Sequence, residues 1–316
     1  VAAIAIGRND GPRLVRCLAS LEGQVSSIIY VDSGSTDGSV GAAQETGAET
    51  VLLDMTLPFT AARARNAGLA RLKEVAPDTQ YVQFLDGDCE MEPGWIDGAI
   101  STFEADPELA VVCGRRKERY PEASVWNRLI DAEWDTPVGA TKECGGDALM
   151  RVQPLQDVGG YRVDLIAGEE PELCYRLRHA GWRVRRIDAP MTLHDAALTR
   201  ISQWWKRSLR AGHSFAELNA LYGAGPERFR RAQTRRAVLW GAVLPVFIFF
   251  AALIFGFEAL LLFLIYPAQV LRLRIKGYPW TEAFFLTLGK FPEAQGVLSY
   301  WLNRLQGKRK KLIEYK

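Results

Sequence analysis

The sequence predicts an α/β fold over residues 1–200, because short apolar strands alternate there with amphipathic helices. Turn residues follow most of the apolar runs, and apolar side chains recur at helical spacing between them. A content of 48% hydrophobic and 24% charged residues is typical of a folded chain. Strands and helices in alternation favour parallel pairing, and ligands of such sheets bind beyond the carboxyl ends of the strands.

The first part of this region contains four expected strands, separated by three expected helices. The strands are predicted at 1–7, 28–32, 49–54 and 81–86, and the helices at 11–23, 36–47 and 60–75. In the first helix Leu14, Cys17, Leu18 and Leu21 share one face, which is expected to be buried.

The elements between residues 95 and 195 alternate less regularly. Helices are predicted at 95–104 and 169–181, and strands at 110–115, 145–152 and 182–189. Gly181 is expected to lie beyond the end of the second helix as a cap. Residues 125–134 form a Trp-containing stretch to which no element is assigned.

An apolar segment follows. Residues 237–257 carry no charge, which is enough length to cross a bilayer, and after Glu258 a second uncharged stretch covers 259–271. Basic residues flank the segment on both sides, so the positive-inside rule places both flanks in the cytoplasm. We expect two crossings or a re-entrant hairpin at 237–271, and an inner (plasma) membrane location with residues 1–200 facing the cytoplasm.

Basic segments lie before and after this hairpin. Residues 201–236 are aromatic and basic and are predicted to lie at the membrane interface; packing of Trp204 and Trp205 against residues 1–200 is the alternative. Residues 272–316 form a basic cytoplasmic segment that ends in KRKK at 308–311, a candidate contact for anionic lipid.

Charge and cysteine content limit the function classes. With 39 basic and 37 acidic residues the net charge is +2, which gives no support to a nucleic-acid-binding protein. The five cysteines are scattered without a C-x-x-C pair. This pattern disfavours a disulfide framework or a thiolate zinc site and fits a reducing compartment.

Two acidic sites follow predicted strands. Asp86 and Asp88 flank a glycine and could chelate a hard divalent cation, although Asp-Gly is also a strong turn signal. Asp32 precedes a loop rich in Gly, Ser and Thr and could accept hydrogen bonds from a base or ribose. The alternative there is a simple helix cap by Ser35 or Asp37.

Five other side chains have a plain structural alternative. Arg63 and Arg65 could reach a phosphate, but a solvated helix face is the favoured interpretation from residue type alone. Glu169 and Glu170 could simply stabilise the N-terminus of the predicted helix. Alternatively, one of them could be a general base whose proton affinity is raised by the neighbouring carboxylate. His194 becomes a metal-ligand candidate only beside another ligand, for which Asp88 is the choice.

Taken in order, these motifs resemble those of the family 2 glycosyltransferases with the GT-A fold. The family pattern contains D-[DS]-G-S-T-D, A-R-N-x-G-L, D-x-D and G-E-D-x-x-L elements, with V-G-G-[FY] before the last. The matching positions are 32–37, 64–69, 86–88, 168–173 and 157–162. Each motif is weak alone, but their order and spacing over about two thirds of the chain are specific.

The resemblance implies roles on the donor side of the site. Asp32 would contact the nucleotide, Arg65 would lie against the nucleotide or its phosphates, and Asp86 would support the nucleotide sugar. Asp147, in a loop that would lie near the acceptor, could hydrogen-bond a sugar hydroxyl; a glycine turn is its alternative.

The resemblance also implies a metal and a base. Mn²⁺ or Mg²⁺ would be held by Asp88 and Asp86, and His194 resembles a histidine that completes the metal site in some GT-A enzymes. Glu170 aligns with the catalytic base, where the family usually has Asp, and Glu169 is its rival.

The implied reaction is transfer of one sugar, with inversion, from a nucleoside diphosphate sugar, expected to be a UDP-sugar, to a lipid-linked glycan acceptor. At 203–207, QWWKR departs from the Q-x-x-R-W motif of processive synthases, because Lys206 and Arg207 stand where Arg and Trp belong. A processive polysaccharide synthase, and a non-catalytic sugar-nucleotide-binding membrane subunit, are the alternatives.

Overall fold

The computed structural model describes residues 1–307 and divides the chain into two units. One unit contains Val1–Leu165 and Glu169–Ala197, and the other contains Ile166–Gly168 and the chain from Leu198 onward. The lysine-rich run at 308–311, for which a contact with anionic lipid is predicted, lies outside the described residues.

The first unit is an α/β structure. Its strands are β1 (Ala2–Gly7), β2 (Ser27–Asp32), β3 (Glu49–Leu52), β4 (Tyr81–Asp86), β5 (Cys89–Met91), β6 (Leu109–Glu118), β7 (Gly139–Ala140), β8 (Ala148–Arg151) and β9 (Arg183–His194). Its helices are α1 (Pro12–Leu21), α2 (Ser39–Glu45), α3 (Ala61–Val75), α4 (Trp95–Ala105), α5 (Val125–Trp134), α6 (Val152–Asp157) and α7 (Glu169–His179).

The strands form one mixed sheet with the order β3-β2-β1-β4-β8-β6-β9-β5, and β7 lies beside β9. Within residues 1–307 four pairings are parallel: β1 with β2 and β4, β2 with β3, and β6 with β9. β8 runs antiparallel between β4 and β6, and β5 runs antiparallel to β9. The predicted α/β class with a mostly parallel sheet is therefore confirmed.

The core lies where the apolar pattern predicts it. Residues 2–5 of β1 are fully buried, as expected for a central parallel strand. The shared face of α1, with Leu14, Cys17, Leu18 and Leu21, is also fully buried. All five cysteines are buried and free; the sulfur atoms of Cys144 and Cys174 are 3.5 Å apart.

Helix α3 approaches β1 closely because it carries a glycine at the contact. A Cβ atom on Gly68 would lie 2.5 Å from Cγ2 of Ile4 and 3.2 Å from Cγ2 of Val31. The helix begins at a Thr60 cap, whose hydroxyl oxygen accepts a hydrogen bond from the Arg63 amide at 3.1 Å. Both features fix where α3 presents its side chains to the sheet edge.

The structure differs from the sequence prediction mainly in the second half of the sheet. β6 continues to Glu118 and β9 to His194, because their parallel pairing persists through register shifts around Arg115. β5 and β7 are short strands that the sequence did not predict. The stretch 125–134 is helix α5, whose start is capped by Ser124 accepting from the Asn127 amide.

The second unit is helical in its described part. Its helices are α8 (Ile201–Tyr222), α9 (Arg231–Val238), α10 (Leu244–Phe255), α11 (Ile265–Ile275), α12 (Trp280–Leu288) and α13 (Lys290–Leu305). Trp204 is buried, and its ring lies 5.0 Å from that of Phe285 in α12. Trp204 therefore packs within this unit, whereas packing against residues 1–200 was the alternative from sequence.

A π-helical turn at Leu239–Val243 joins α9 to α10 in one helix, Arg231–Phe255, of 25 residues. Among the described residues this is the one helix whose length and composition would let it cross a membrane. The second uncharged stretch instead consists of a 3₁₀ segment, Phe257–Leu264, followed by α11.

Candidate active site

The sequence-predicted acids come together at one edge of the sheet. In the parallel pairing Gly7 of β1 is opposite Asp32 of β2, and Ile6 is opposite Asp86 of β4. Asp32 and Asp86 therefore lie at the carboxyl ends of strands on either side of β1, where ligands of parallel sheets bind.

Asp32 is buried, and both its oxygens are used inside its own loop. Oδ1 accepts a hydrogen bond from the Tyr30 hydroxyl at 2.9 Å, and Oδ2 accepts from the amides of Gly34 and Ser35 at 2.9 and 2.8 Å. Burial and the charge of Asp32 raise the pKa of Tyr30, which keeps that hydroxyl a donor. Asp32 thus shapes the loop, and its contact with a nucleotide stays a prediction.

Arg65 is almost completely buried, at 1% exposure, so the solvated-face interpretation from sequence is wrong for this residue. Its Nη2 lies 3.0 Å from Oδ1 of Asp86, and its Nη1 lies 3.1 Å from Glu169 and 2.8 Å from Glu170. Its guanidinium also lies over the ring of Tyr161, 5.5 Å from the centroid. We call Arg65, Asp86, Glu169 and Glu170 the Arg65 cluster.

The other arginine of this helix behaves differently. Arg63 is partly exposed and donates to the backbone carbonyls of Asp54, Leu57 and Pro58 at 2.8–3.0 Å. It therefore secures the loop before α3, while Arg65, two residues on, is directed to the sheet edge.

Within the Arg65 cluster Glu170 has the properties of a base. Burial and the neighbouring charge of Glu169 raise the pKa of Glu170 to about 7, against the opposing effect of the Arg65 cation. Its side chain keeps 15% exposure, compared with 6% for Glu169. A carboxylate that titrates near neutrality and remains accessible is suited to remove a proton from a bound hydroxyl.

Arg116, which the sequence analysis did not single out, lies on the opposite side of Asp86. Its Nη2 is 3.3 Å from Oδ2 of Asp86, and its Nε is 3.5 Å from Oδ2 of Asp147. Asp147 is fully buried, accepting from the Thr192 hydroxyl at 2.6 Å and from the Asp86 amide at 3.3 Å. Asp147 thus helps to fix the backbone of Asp86 through the hydrogen bond from its amide. The contact of Asp147 with a sugar hydroxyl stays a prediction.

Asp88 faces a histidine instead of an arginine. β5 begins at Cys89, which pairs with His194 at the end of β9, and this brings Asp88 Oδ1 to 3.4 Å from Nε2 of His194. The other ring nitrogen, Nδ1, lies 3.1 Å from Oε2 of Glu118. All three side chains are buried, and we call Asp88, Glu118 and His194 the His194 cluster.

Two members of the His194 cluster, Asp88 and His194, have donor atoms that fit a divalent cation. Potential ligand atoms of Asp88, Cys89 and His194 lie within 4.8 Å of one another. One imidazole with carboxylate oxygen suits Mn²⁺ better than Mg²⁺, which takes oxygen ligands. Asp86, by contrast, is already engaged with Arg65 and Arg116 in this structure.

Two residues of the site, Arg116 and Glu118, escaped sequence reasoning. They lie two positions apart at the end of β6, so their side chains are on the same face of the strand. The strand predicted from sequence ends at residue 115, so both residues lie beyond it, whereas β6 continues to Glu118. The sequence feature that indicates them is the spacing of two positions between Arg116 and Glu118, which is the repeat of side chains on one face of a strand.

The fold is an α/β structure with acidic side chains at the carboxyl ends of its strands, and the comparison with known families agrees with this class. Residues 4–156 match the sequence model of Glycosyl transferase family 2, and this part of the chain belongs to that family. The resemblance found in the motifs is therefore confirmed, and with it the GT-A type of fold.

Two relatives from Mycobacterium tuberculosis show what the chain is similar to. The pre-mycofactocin glycosyltransferase is 30% identical over 67% of this chain, which spans only 46% of the length of that protein. The N-acetylglucosaminyl-diphospho-decaprenol L-rhamnosyltransferase is 26% identical over 61% of this chain and 75% of its own length.

Among solved structures, the mannosyltransferase PcManGT from Pyrobaculum calidifontis, in complex with GDP-Man and Mn²⁺, has a similar fold. The TM-score is 0.63 at 20% identity, with 94% of this chain and 86% of that chain covered. At this identity the likeness concerns the fold.

Proposed function

We propose that the chain is a metal-dependent, inverting glycosyltransferase that moves one sugar from a nucleoside diphosphate sugar to a hydroxyl of a lipid-linked glycan. The observation that carries the proposal is the pairing, at one sheet edge, of a carboxylate of raised pKa, Glu170, with the metal-suited pair Asp88 and His194.

In this proposal Glu170 is the base. It removes the proton of the acceptor hydroxyl, whose oxygen then forms a bond to the anomeric carbon of the donor. The bond from that carbon to the diphosphate oxygen breaks on the opposite face, which inverts the configuration. Arg65 keeps Glu170 in place at 2.8 Å, and Glu169 raises its proton affinity.

The donor side is assigned to Asp32, Arg65 and Asp86, with Asp88 and His194 holding Mn²⁺. A divalent cation bound there supplies positive charge that stabilises the departing diphosphate. The Asp86 carboxylate, fixed between Arg65 and Arg116, lies two residues from Asp88 and keeps the donor end of the site rigid. A UDP-sugar is the first donor to try; the structural neighbour PcManGT has GDP-Man bound.

The lipid-linked acceptor and the membrane location rest on two observations. The relative that transfers rhamnose is named for a decaprenol-linked substrate. In the second unit, phenylalanines on and after α10 are more than half exposed, namely Phe247, Phe249, Phe250, Phe255 and Phe257. Exposed apolar surface of this kind marks contact with lipid or another apolar partner.

Sugar transfer by the full chain, extracted from membranes with detergent, tests the proposal. UDP-, GDP- and dTDP-sugars are offered with Mn²⁺ and a polyprenyl-diphosphate-linked acceptor. Glu170→Gln is expected to lower kcat by about 10²- to 10⁴-fold with donor binding retained, because it removes the general base. Asp88→Asn is expected to lose Mn²⁺-dependent donor binding.

Glu122→Gln, whose side chain is 83% exposed, is the matched control and should leave both properties unchanged. Full transfer by a folded Glu170→Gln variant with loss in Glu169→Gln would make Glu169 the base. Donor binding without turnover across many acceptors would favour a non-catalytic subunit, and a long product would favour a processive synthase. If the protein can be extracted from cells without detergent, membrane attachment is contradicted, but the proposed sugar transfer is not.

A further inference from the structure

The carboxylate of Glu118 is held in the protein interior by groups that donate hydrogen bonds. It is 4% exposed. Its oxygens accept from the amide of Ala196 at 3.1 and 3.3 Å, from the amide of Tyr120 at 3.3 Å and from Nδ2 of Asn127 at 3.3 Å. Nδ1 of His194 lies 3.1 Å from Oε2 of the same carboxylate. The surroundings make Glu118 an acceptor toward the histidine.

We propose that Glu118 is a positioning residue of the metal site: it accepts the Nδ1 proton of His194 and so presents the unprotonated Nε2 to a Mn²⁺ ion shared with Asp88. This inference rests on the proposed metal-dependent function and assigns a role to a residue outside its ligand set. Metal-binding histidines generally donate their second ring nitrogen to a carboxylate or carbonyl, which fixes the tautomer and the ring orientation.

The strand register supports this pairing. Glu118 is the partner of His194 in the parallel pairing of β6 and β9, so the two side chains are neighbours through the backbone itself. The register shifts on either side of Arg115 bring β6 into that alignment, and such irregularities re-aim side chains. The pair is therefore a product of the sheet and does not depend on a loop.

The ring of His194 is also restrained from the α5 side. Trp134, at the end of α5, contacts it edge to face, with centroids 4.7 Å apart. Arg116 lies over the same tryptophan at 4.5 Å. Asn127, on the same helix, contacts Glu118. Helix α5 thus braces both members of the pair.

The arrangement on the other side of the ring calls for a cation. With the proton on Nδ1, Nε2 carries a lone pair, and it faces the Asp88 oxygen at 3.4 Å. The same Asp88 oxygen also accepts from the Cys89 thiol at 3.7 Å. A lone pair on Nε2 that faces a carboxylate oxygen is the arrangement in which both atoms can bind one positive ion. Glu118 makes this arrangement specific, because a histidine with the opposite tautomer would offer Asp88 an N–H instead.

Titration calorimetry with Mn²⁺ alone, on the full chain in detergent, tests the proposal. Glu118→Gln is expected to bind Mn²⁺ about 10- to 100-fold more weakly than the wild type, since the glutamine amide can donate to Nδ1 and favour the other tautomer. Glu118→Asp should restore part of the affinity. Glu122→Gln, an exposed acid of the neighbouring segment, is the control. An affinity within twofold of wild type in a folded Glu118→Gln protein would overturn the inference.

Two spectroscopic measurements need no folded Glu118 variant. Electron spin-echo modulation of bound Mn²⁺ should show an imidazole nitrogen in the wild type that disappears in His194→Gln. Nitrogen NMR shifts of the three histidines should place the His194 proton on Nδ1, and a proton on Nε2 would refute the proposal. If the wild-type protein binds no Mn²⁺, both the metal-dependent function and this inference are wrong. If Mn²⁺ affinity is unchanged in Glu118→Gln, the inference alone is wrong.

Discussion

The two charged clusters of the site differ in the group that lies between their carboxylates. The Arg65 cluster surrounds a built-in cation with the carboxylates of Asp86, Glu169 and Glu170. The His194 cluster places the carboxylates of Asp88 and Glu118 on the two nitrogens of one imidazole. The first carries its own positive charge in Arg65, whereas the second is the cluster that we propose to bind a cation from solution.

This difference separates the two tasks that the proposed reaction needs. In the Arg65 cluster, burial and the neighbouring charge of Glu169 outweigh the Arg65 cation and raise the pKa of Glu170, which suits that residue to act as a base. The proposed property of the His194 cluster is affinity for a divalent ion, supplied by Asp88 and His194. Variants that alter the Arg65 cluster should therefore leave the affinity for Mn²⁺ intact. Variants that alter the His194 cluster should leave the raised pKa of Glu170 intact.

The largest effect is expected from removing the built-in cation. Arg65→Met leaves Asp86, Glu169 and Glu170 without a shared partner in the interior, so we expect a loss of about 3–5 kcal/mol in the free energy of unfolding at neutral pH. The loss should shrink as the pH is lowered, because protonation removes the unpaired charges. Urea unfolding measured at several pH values provides the test.

Arg65→Lys is the control for charge, because it keeps a cation but not the fork that reaches both sides. It should lie between the wild type and Arg65→Met. A loss below about 1 kcal/mol for Arg65→Met would show that the Arg65 cluster does not depend on its cation.

A smaller effect is expected at Gly146. A Cβ atom there would lie 2.9 Å from Nη2 of Arg65 and 3.0 Å from Oδ2 of Asp86, so Gly146→Ala must displace that ion pair. We expect about a 10- to 100-fold fall in the transfer rate, as is usual when catalytic groups are misplaced. Mn²⁺ affinity should be unchanged.

Gly145→Ala is the matched control, because a Cβ atom at Gly145 meets nothing within 4 Å. Equal losses of Mn²⁺ affinity and of rate in Gly146→Ala would show that the two clusters cannot be separated.

The smallest effect is a shift in pH dependence. The wild-type transfer rate should rise with pH and reach half its maximum near pH 7, because Glu170 must lose its proton before it can accept another. In Glu169→Gln one neighbouring negative charge is gone, so the pKa of Glu170 falls and the midpoint moves to lower pH. Rates at saturating donor between pH 5 and pH 9 measure it; a midpoint that moved upward would contradict the assignment.

The first half of the sheet could be predicted closely from the sequence. Strands β1 to β4 are buried and apolar, each is followed by turn residues, and Asp32 and Asp86 occur at two of their ends. In that half the local pattern and the tertiary structure agree. The motif order also indicates Glu170, and the resemblance to some GT-A enzymes indicates His194; the roles of both stay predictions.

The second half could not be predicted in the same way. β6 and β9 extend beyond their apolar portions because each supplies the other with backbone partners, and register shifts hide the strand period. Arg65 was misjudged because residue type favours exposure of an arginine, whereas its burial depends on acids 21 and 104 positions away in the chain. Such long-range charge pairing leaves no local signal.

The close seat of α3 on β1 has a consequence for how this site could vary. Because Gly68 lacks a methyl group, the helix lies deep against Ile4, and Arg65 three positions earlier reaches Asp86. A side chain at position 68 would lift the helix and shorten the reach of the guanidinium without changing any charge. The distance between Arg65 and the acids therefore depends on the apolar contact between Gly68 and Ile4. Side-chain volume at position 68 is thus expected to affect activity.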